Sequence, residues 1–208
     1  MRRGRDLIGA PVIDTGTGRA LGTVADLAFR PDGTVSALLV VPATGVVRRA
    51  FPVPVERFAA IDAGKVSIDR EVLRRHRSAR TAGVTLRGEP GGLCGKSLVT
   101  SEGKVLGTIA DVVLDGPAAM SEVENAGEPD DRPGRRGEKS EESGYSGAVR
   151  LSLWGFEVSD GIVKDLLDGR AVVEAAGARY DGSRVVLDQS ARHMNLAPGG
   201  HATLEGSE

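Results

Sequence analysis

One seven-residue stretch occurs twice, and it restricts the folds open to this chain more than any other feature. The first copy is Leu21-Gly22-Thr23-Val24-Ala25-Asp26-Leu27, the second Leu106-Gly107-Thr108-Ile109-Ala110-Asp111-Val112. Each follows a Gly-containing turn, Thr15–Gly18 in one case and Ser101–Lys104 in the other. Around the first copy, Leu21, Thr23, Ala25, Leu27 and Phe29 alternate with Gly22, Val24, Asp26 and Ala28. That is the period of a β-strand, and it sets Asp26 facing away from Leu27 and Phe29. Both copies read as the same long strand, Ala20–Arg30 and Lys104–Asp115, in two copies of one small domain.

The flanks repeat as well. Leu7–Asp14 reads as a short strand with Pro11 near an edge. Asp32-Gly33 is a hairpin signal. The strand after it, Thr34–Val41, holds the run Ala37–Val41, apolar on both faces as in a strand buried on both sides. A further strand, Val46–Val55, carries Pro52 and Pro54, which cannot donate ladder hydrogen bonds. Asp62–Asp69 supplies a turn and a last strand. In the second copy Leu93–Val99 matches Leu7–Ile13, and Asp181–Asp188 matches Asp62–Asp69 without a gap. Between them Gly147–Gly155 resumes the strand pattern, and Ile162–Leu167 reads as a strand end or one helical turn.

Three segments fall outside this pattern. Asp69 is placed to cap a helix over Glu71–Arg80. Residues 81–92 are rich in Gly and Pro and read as a linker. Residues 121–146 hold 12 charged residues in 26 and bury too little apolar surface to offset ordering, so they read as a disordered insert. Its deletion is expected to leave the fold intact. The expected architecture is mainly β. Two tandem small β-barrels span 1–80 and 93–195, with a short basic helix after the first, the insert in the second, and a flexible tail over 196–208.

Composition narrows the function. Aromatic residues make up 3% of the chain, which leaves few rings for stacking on single-stranded bases. Residues 1–100 carry 16 Lys and Arg against 9 Asp and Glu, while residues 101–208 carry 11 against 20. The basic and acidic halves attract each other, within one chain or between two copies in a homodimer, or the basic half meets an anionic partner. Cys94 is alone, so there is no disulfide framework or cysteine metal site. The apolar run after Arg2, Arg3 and Arg5 is broken by Gly9 and Pro11, too short for a signal core or a membrane span. A cytoplasmic location without direct membrane insertion is the expectation.

No catalytic constellation stands out. Asp26 and Asp111 hold equivalent places. They read as an acid pair or cation site if they face each other, and more plainly as acceptors for a turn or as solvent-facing groups. His76, His193 and His201 do not pair at ligand spacing. Cys94 stands where the first copy has Ile8, as a small buried hydrophobe does. Ser97, Ser101 and Ser152 have no His/Asp partner at a hydrolase spacing, and Gly16-Thr17-Gly18 is not a phosphate loop. No catalytic residue, metal or cofactor is expected. The best partner-binding candidates are Arg70, Arg74, Arg75, Arg77 and Arg80, whose guanidinium groups suit carboxylates or phosphates.

With both copies aligned, the sequence resembles the PRC-barrel family. The residues that carry the resemblance are Leu7–Val12, Gly22–Asp26, Phe51–Pro54 and Gly64–Asp69, and in the second copy Leu93–Leu98, Gly107–Asp111 and Asp181–Asp188. Residues 155–175 lack the Pro-Val-Pro stretch of the first copy. The resemblance implies a small β-barrel like that of the cytoplasmic domain of a photosynthetic reaction-centre subunit and the end of a ribosome-maturation factor. It implies a non-catalytic adaptor or scaffold that docks on a protein partner. Two alternatives stand beside this: an RNA- or ribosome-associated factor using the basic helix, and a peripheral accessory of a membrane energy-transducing complex.

Overall fold

Gly22 shows why the seven-residue stretch repeats. A Cβ there would collide with the Val41 carbonyl oxygen and lie 3.2 Å from Pro42 Cα on the crossing strand, and its counterpart Gly107 has φ 136°. This computed structural model describes residues 1–44, 49–62, 64–76, 80, 83–88, 91–116, 149–159, 170–188 and 193–195. The predicted insert, residues 162–167 and the tail from 196 lie outside them.

In chain order the elements are β1 (Arg2–Arg3), α1 (Gly4–Leu7), β2 (Pro11–Asp14), β3 (Ala20–Phe29), β4 (Val35–Pro42), β5 (Phe51–Pro54), a 3-10 turn (Val55–Arg57), β6 (Ala60–Asp62), β7 (Lys65–Ile68) and α2 (Arg70–Arg75). There follow β8 (Val84–Thr85), β9 (Ser97–Thr100), β10 (Val105–Asp115), β11 (Ser152–Ser159), β12 (Ala171–Glu174), β13 (Arg179–Tyr180), β14 (Arg184–Leu187) and β15 (His193–Asn195). The protein is mainly β and forms two β domains. The first sheet runs β5-β4-β3-β2-β7-β6. The second runs β12-β11-β10-β9-β14-β13, the same order, with β15 outside β12. In both, the one parallel contact among the described residues joins the early and late strands: Val12 opposite Val66, and Leu98 opposite Val185.

The long strand departs from simple alternation. β3 and β10 both slip register against their neighbours just before the aspartate, between Val24 and Asp26 and between Ile109 and Asp111. A bulge of this kind exchanges the faces of a strand. Val24 is therefore buried and Thr23 exposed, yet Asp26, Leu27, Ala28 and Phe29 are all buried.

Three elements are shorter than the sequence pattern indicated. Leu7–Asp14 is a strand only from Pro11, because Gly9 turns the chain at φ 86° and residues 4–7 form a helical turn. The strand read over Val46–Val55 covers Phe51–Pro54; it lies at the edge of its sheet, where two prolines cost no interior ladder bonds. The basic helix ends at Arg75 instead of Arg80. Asp69 caps it by accepting from the Glu71 and Val72 N–H groups, and His76 closes it with Nδ1 2.8 Å from Val72 O. Leu73 is its one buried residue, and no apolar residue follows a turn later to hold a longer helix down.

The two domains are interlocked. β1 precedes the first domain but pairs with β10 of the second, Arg2 opposite Leu114 and Arg3 opposite Val113. β8 precedes the second domain but pairs with β3 of the first, Phe29 opposite Val84 and Ala28 opposite Thr85. Thr34 also bridges to Ser152, with Val35 N–H donating to Leu151 O. One apolar core runs through both, from Leu27 and Leu38 through Leu86 to Val112, Leu114 and Phe156.

A candidate partner-binding site between the domains

The two repeated aspartates fasten these exchanged strands. Asp26 accepts from its neighbour Leu27 N–H at 2.8 Å and from Arg87 N–H at 3.1 and 3.2 Å. Asp111 does the same with Val112 N–H at 2.8 Å and Arg5 N–H at 3.2 Å to both oxygens. Both carboxylates are buried. Neither points to solvent, and the Arg87 and Arg5 donors each come from the lead-in segment of the other domain. Asp111 has an acidic neighbour in Glu157, which lies opposite it on β11. Arg3 Nε and Arg170 Nη1 approach Glu157 at 3.0 Å, and Arg5 Nη1 at 3.6 Å. The Arg3 and Arg5 pairs join the basic half of the chain to the acidic half. Burial is the main reason that the Asp111 carboxyl sits above its ordinary pKa; the Glu157 charge adds to this, while the N–H groups of Val112 and Arg5 and the Arg5 charge oppose it.

Beside this junction lies a cavity of about 470 Å³. Its floor is apolar: Phe29, Leu93, Leu153, Phe156, Val185 and the two alanines 175 and 178. Its rim carries Arg30, Asp32, Arg179 and Tyr180. The Asp32-Gly33 hairpin, with Gly33 at φ 80°, places one side of the rim, and the edge strand β13 places the other. Two of the polar groups are already engaged. Tyr180 Oη donates to Gly182 O at 2.8 Å and also approaches Gly91 O at 3.2 Å. Asp32 accepts from Thr34 N–H at 2.9 Å, which holds its carboxyl below the usual range. A second recess of about 360 Å³ shares Phe29, Arg30, Pro31 and Gly83 with the first and is lined by Pro52, Pro54, His76 and Arg80.

Residues 1–73, which include every strand from β1 to β7, match the PRC-barrel domain family. This chain carries a PRC-barrel domain. No curated protein matches it. The PRC-barrel match stops at residue 73, ahead of the cavity wall supplied by the second domain.

The arginines singled out from sequence are dispersed. Arg70 pairs with Asp14 at 3.5 Å and Arg74 with Glu71 at 3.1 Å. Arg75 and Arg80 are exposed, and Arg77 lies outside the described residues. Arg19, Arg70 and Arg74 line a recess of about 400 Å³ beside Thr44. Cys94 is half-buried, less enclosed than a small core hydrophobe, and its thiol faces Ala110 O at 3.4 Å. Burial first, and then the Asp111 charge, push that thiol up to about 11. Among the described residues no three His, Cys, Asp or Glu side chains gather as a metal site. No helix of the described residues is long and apolar enough to cross a membrane.

The cavity residues are not legible in the sequence because they come from six separate segments. A weak signal for the aspartate fastening was present. Gly4-Arg5 and Leu86-Arg87 stand in matching places before the two domains, but their offset differs from that of the strands that follow.

Proposed function

We propose that the protein is a non-catalytic adaptor whose PRC-barrel domain and a diverged second copy form one rigid body, and that it binds a protein partner at the junction between them. The observation that carries this reading is the apolar cavity at the inter-domain junction, in a molecule whose domains share a core and exchange strands. A fused pair presents one fixed surface, which reduces the ordering cost of binding. The test is a tagged pull-down of the full chain with and without ribonuclease. A defined protein that survives nuclease and is bound directly by the purified chain supports the adaptor. Turnover by the purified protein that a point mutation removes would overturn it.

A second reading rests on the recess formed by Arg19, Arg70 and Arg74. Guanidinium groups around one recess suit phosphates, and an RNA-associated role would show as binding that weakens steeply with salt. Arg70 and Arg74 are already paired with carboxylates, which favours the adaptor over this alternative.

A further inference from the structure

The cavity exists because the second domain lacks two side chains that the first one has. In the first domain Phe58 N–H donates to Val55 O at 3.2 Å, closing a turn after β5. Ala178 N–H donates to Ala175 O at 3.0 Å in the matching turn after β12. Val55 and Phe58 are 4% and 2% exposed and belong to the core. Their counterparts, Ala175 and Ala178, line the cavity. A phenyl ring and two methyl groups are missing, and the turn has not collapsed to fill the gap. Unfilled apolar volume of this kind is costly to keep and draws in an apolar occupant.

The chemistry of the walls selects among occupants. A small-molecule site needs a few convergent polar groups inside to orient its ligand. Here the interior is apolar, and Tyr180 Oη is spent on main-chain carbonyls. The charges sit on the rim, where two exposed guanidinium groups, Arg30 and Arg179, outnumber one carboxylate already bonded to Thr34 N–H. Arg179 also belongs to β13, the terminal strand of its sheet among the described residues, which leaves main-chain groups beside the cavity mouth for an extended segment to pair with.

We infer that the cavity between Phe29, Leu153, Ala175 and Ala178 takes an aromatic side chain from an acidic segment of the partner protein. The ring lies where Phe58 lies in the first domain, and the acidic neighbours meet Arg30 and Arg179. This rests on the protein-binding reading above.

The experiment is to pan a displayed library of random peptides on the full chain, then measure the enriched peptides by fluorescence anisotropy. Enriched sequences should share a Phe, Tyr or Trp flanked by Asp or Glu, and exchange of that ring for Ala should weaken binding at least tenfold. Ala178→Phe should close the cavity from within, abolish binding and leave the urea midpoint at or above that of the unaltered protein. Arg30→Glu with Arg179→Glu, both exposed on the rim, should weaken binding at least tenfold without filling the apolar floor. No enrichment, enriched peptides without this pattern, or equal binding by all variants would overturn the inference. A natural partner that still binds Ala178→Phe would sink the ring-in-cavity inference and leave the adaptor standing; failure of the unaltered protein to bind any protein would sink both.

Discussion

The backbone N–H of Arg5 lies 3.2 Å from both carboxylate oxygens of Asp111, a residue 106 positions further on in the other domain. Arg87 N–H makes the same contact with Asp26 in the opposite direction. Asp111→Ala therefore leaves the Arg5 and Val112 N–H groups without their acceptor in a buried site, at a cost of about 3 kcal/mol of unfolding free energy. Urea unfolding followed by Trp154 fluorescence checks this. Asp26→Ala should destabilise in the same way, because it strands the Leu27 and Arg87 N–H groups.

The raised pKa of Asp111 fixes the sign of a pH effect. The folded state holds this proton more tightly than the unfolded chain does, so the residue lowers stability as pH rises from its ordinary value of 3.8 through the higher folded value. The stability of the unaltered protein relative to Asp111→Asn should fall across that interval and level off above it. Paired denaturation curves from pH 3.5 to 7.5 measure the difference. A relative stability that rises with pH would contradict the buried environment assigned to this carboxylate.

Removal of residues 1–6 should damage the second domain more than the first. β10 loses its pairing with β1, and Asp111 loses the Arg5 N–H and guanidinium groups. Hydrogen exchange should show faster exchange over 105–115 and 152–159, with 20–42 less affected.

Gly4 sits at the contact between the domains. A Cβ there would lie 2.6 Å from Val112 Cγ2 and 2.7 Å from Leu86 Cδ2. Gly4→Ala should cost about 1–3 kcal/mol by overpacking. Gly16→Ala is the control, since a Cβ would meet nothing nearer than Asp14 Oδ1 at 4.0 Å. Thermal melts of the two variants separate the cases.

Cys94 should be a slow nucleophile. With its pKa pushed from 9.0 to about 11, its thiolate fraction at pH 8 falls roughly a hundredfold. Labelling with a thiol reagent in the folded protein should be slower by at least that factor than in urea.

Much of the local structure is legible in the residues themselves. The recurrence of Leu-Gly-Thr with Ala-Asp located β3 and β10, Asp32-Gly33 located a hairpin, and the gapless match of 62–69 with 181–188 located β7 and β14. These depend on backbone period and turn chemistry within a few residues, which a linear reading reaches. It also located Asp26 and Asp111, but not their partners. Alternation placed Asp26 opposite to Leu27, and the bulge at Ala25 buried both. Only the tertiary structure decided that β1 and β8 cross to the other domain, that Leu86 enters a shared core, and that Phe29, Leu153, Ala175 and Ala178 enclose one cavity. The strand pairings between the domains join residues 55 to 112 positions apart, and no local propensity encodes them. They follow from the way buried N–H groups and apolar side chains find partners once the chain has closed on itself.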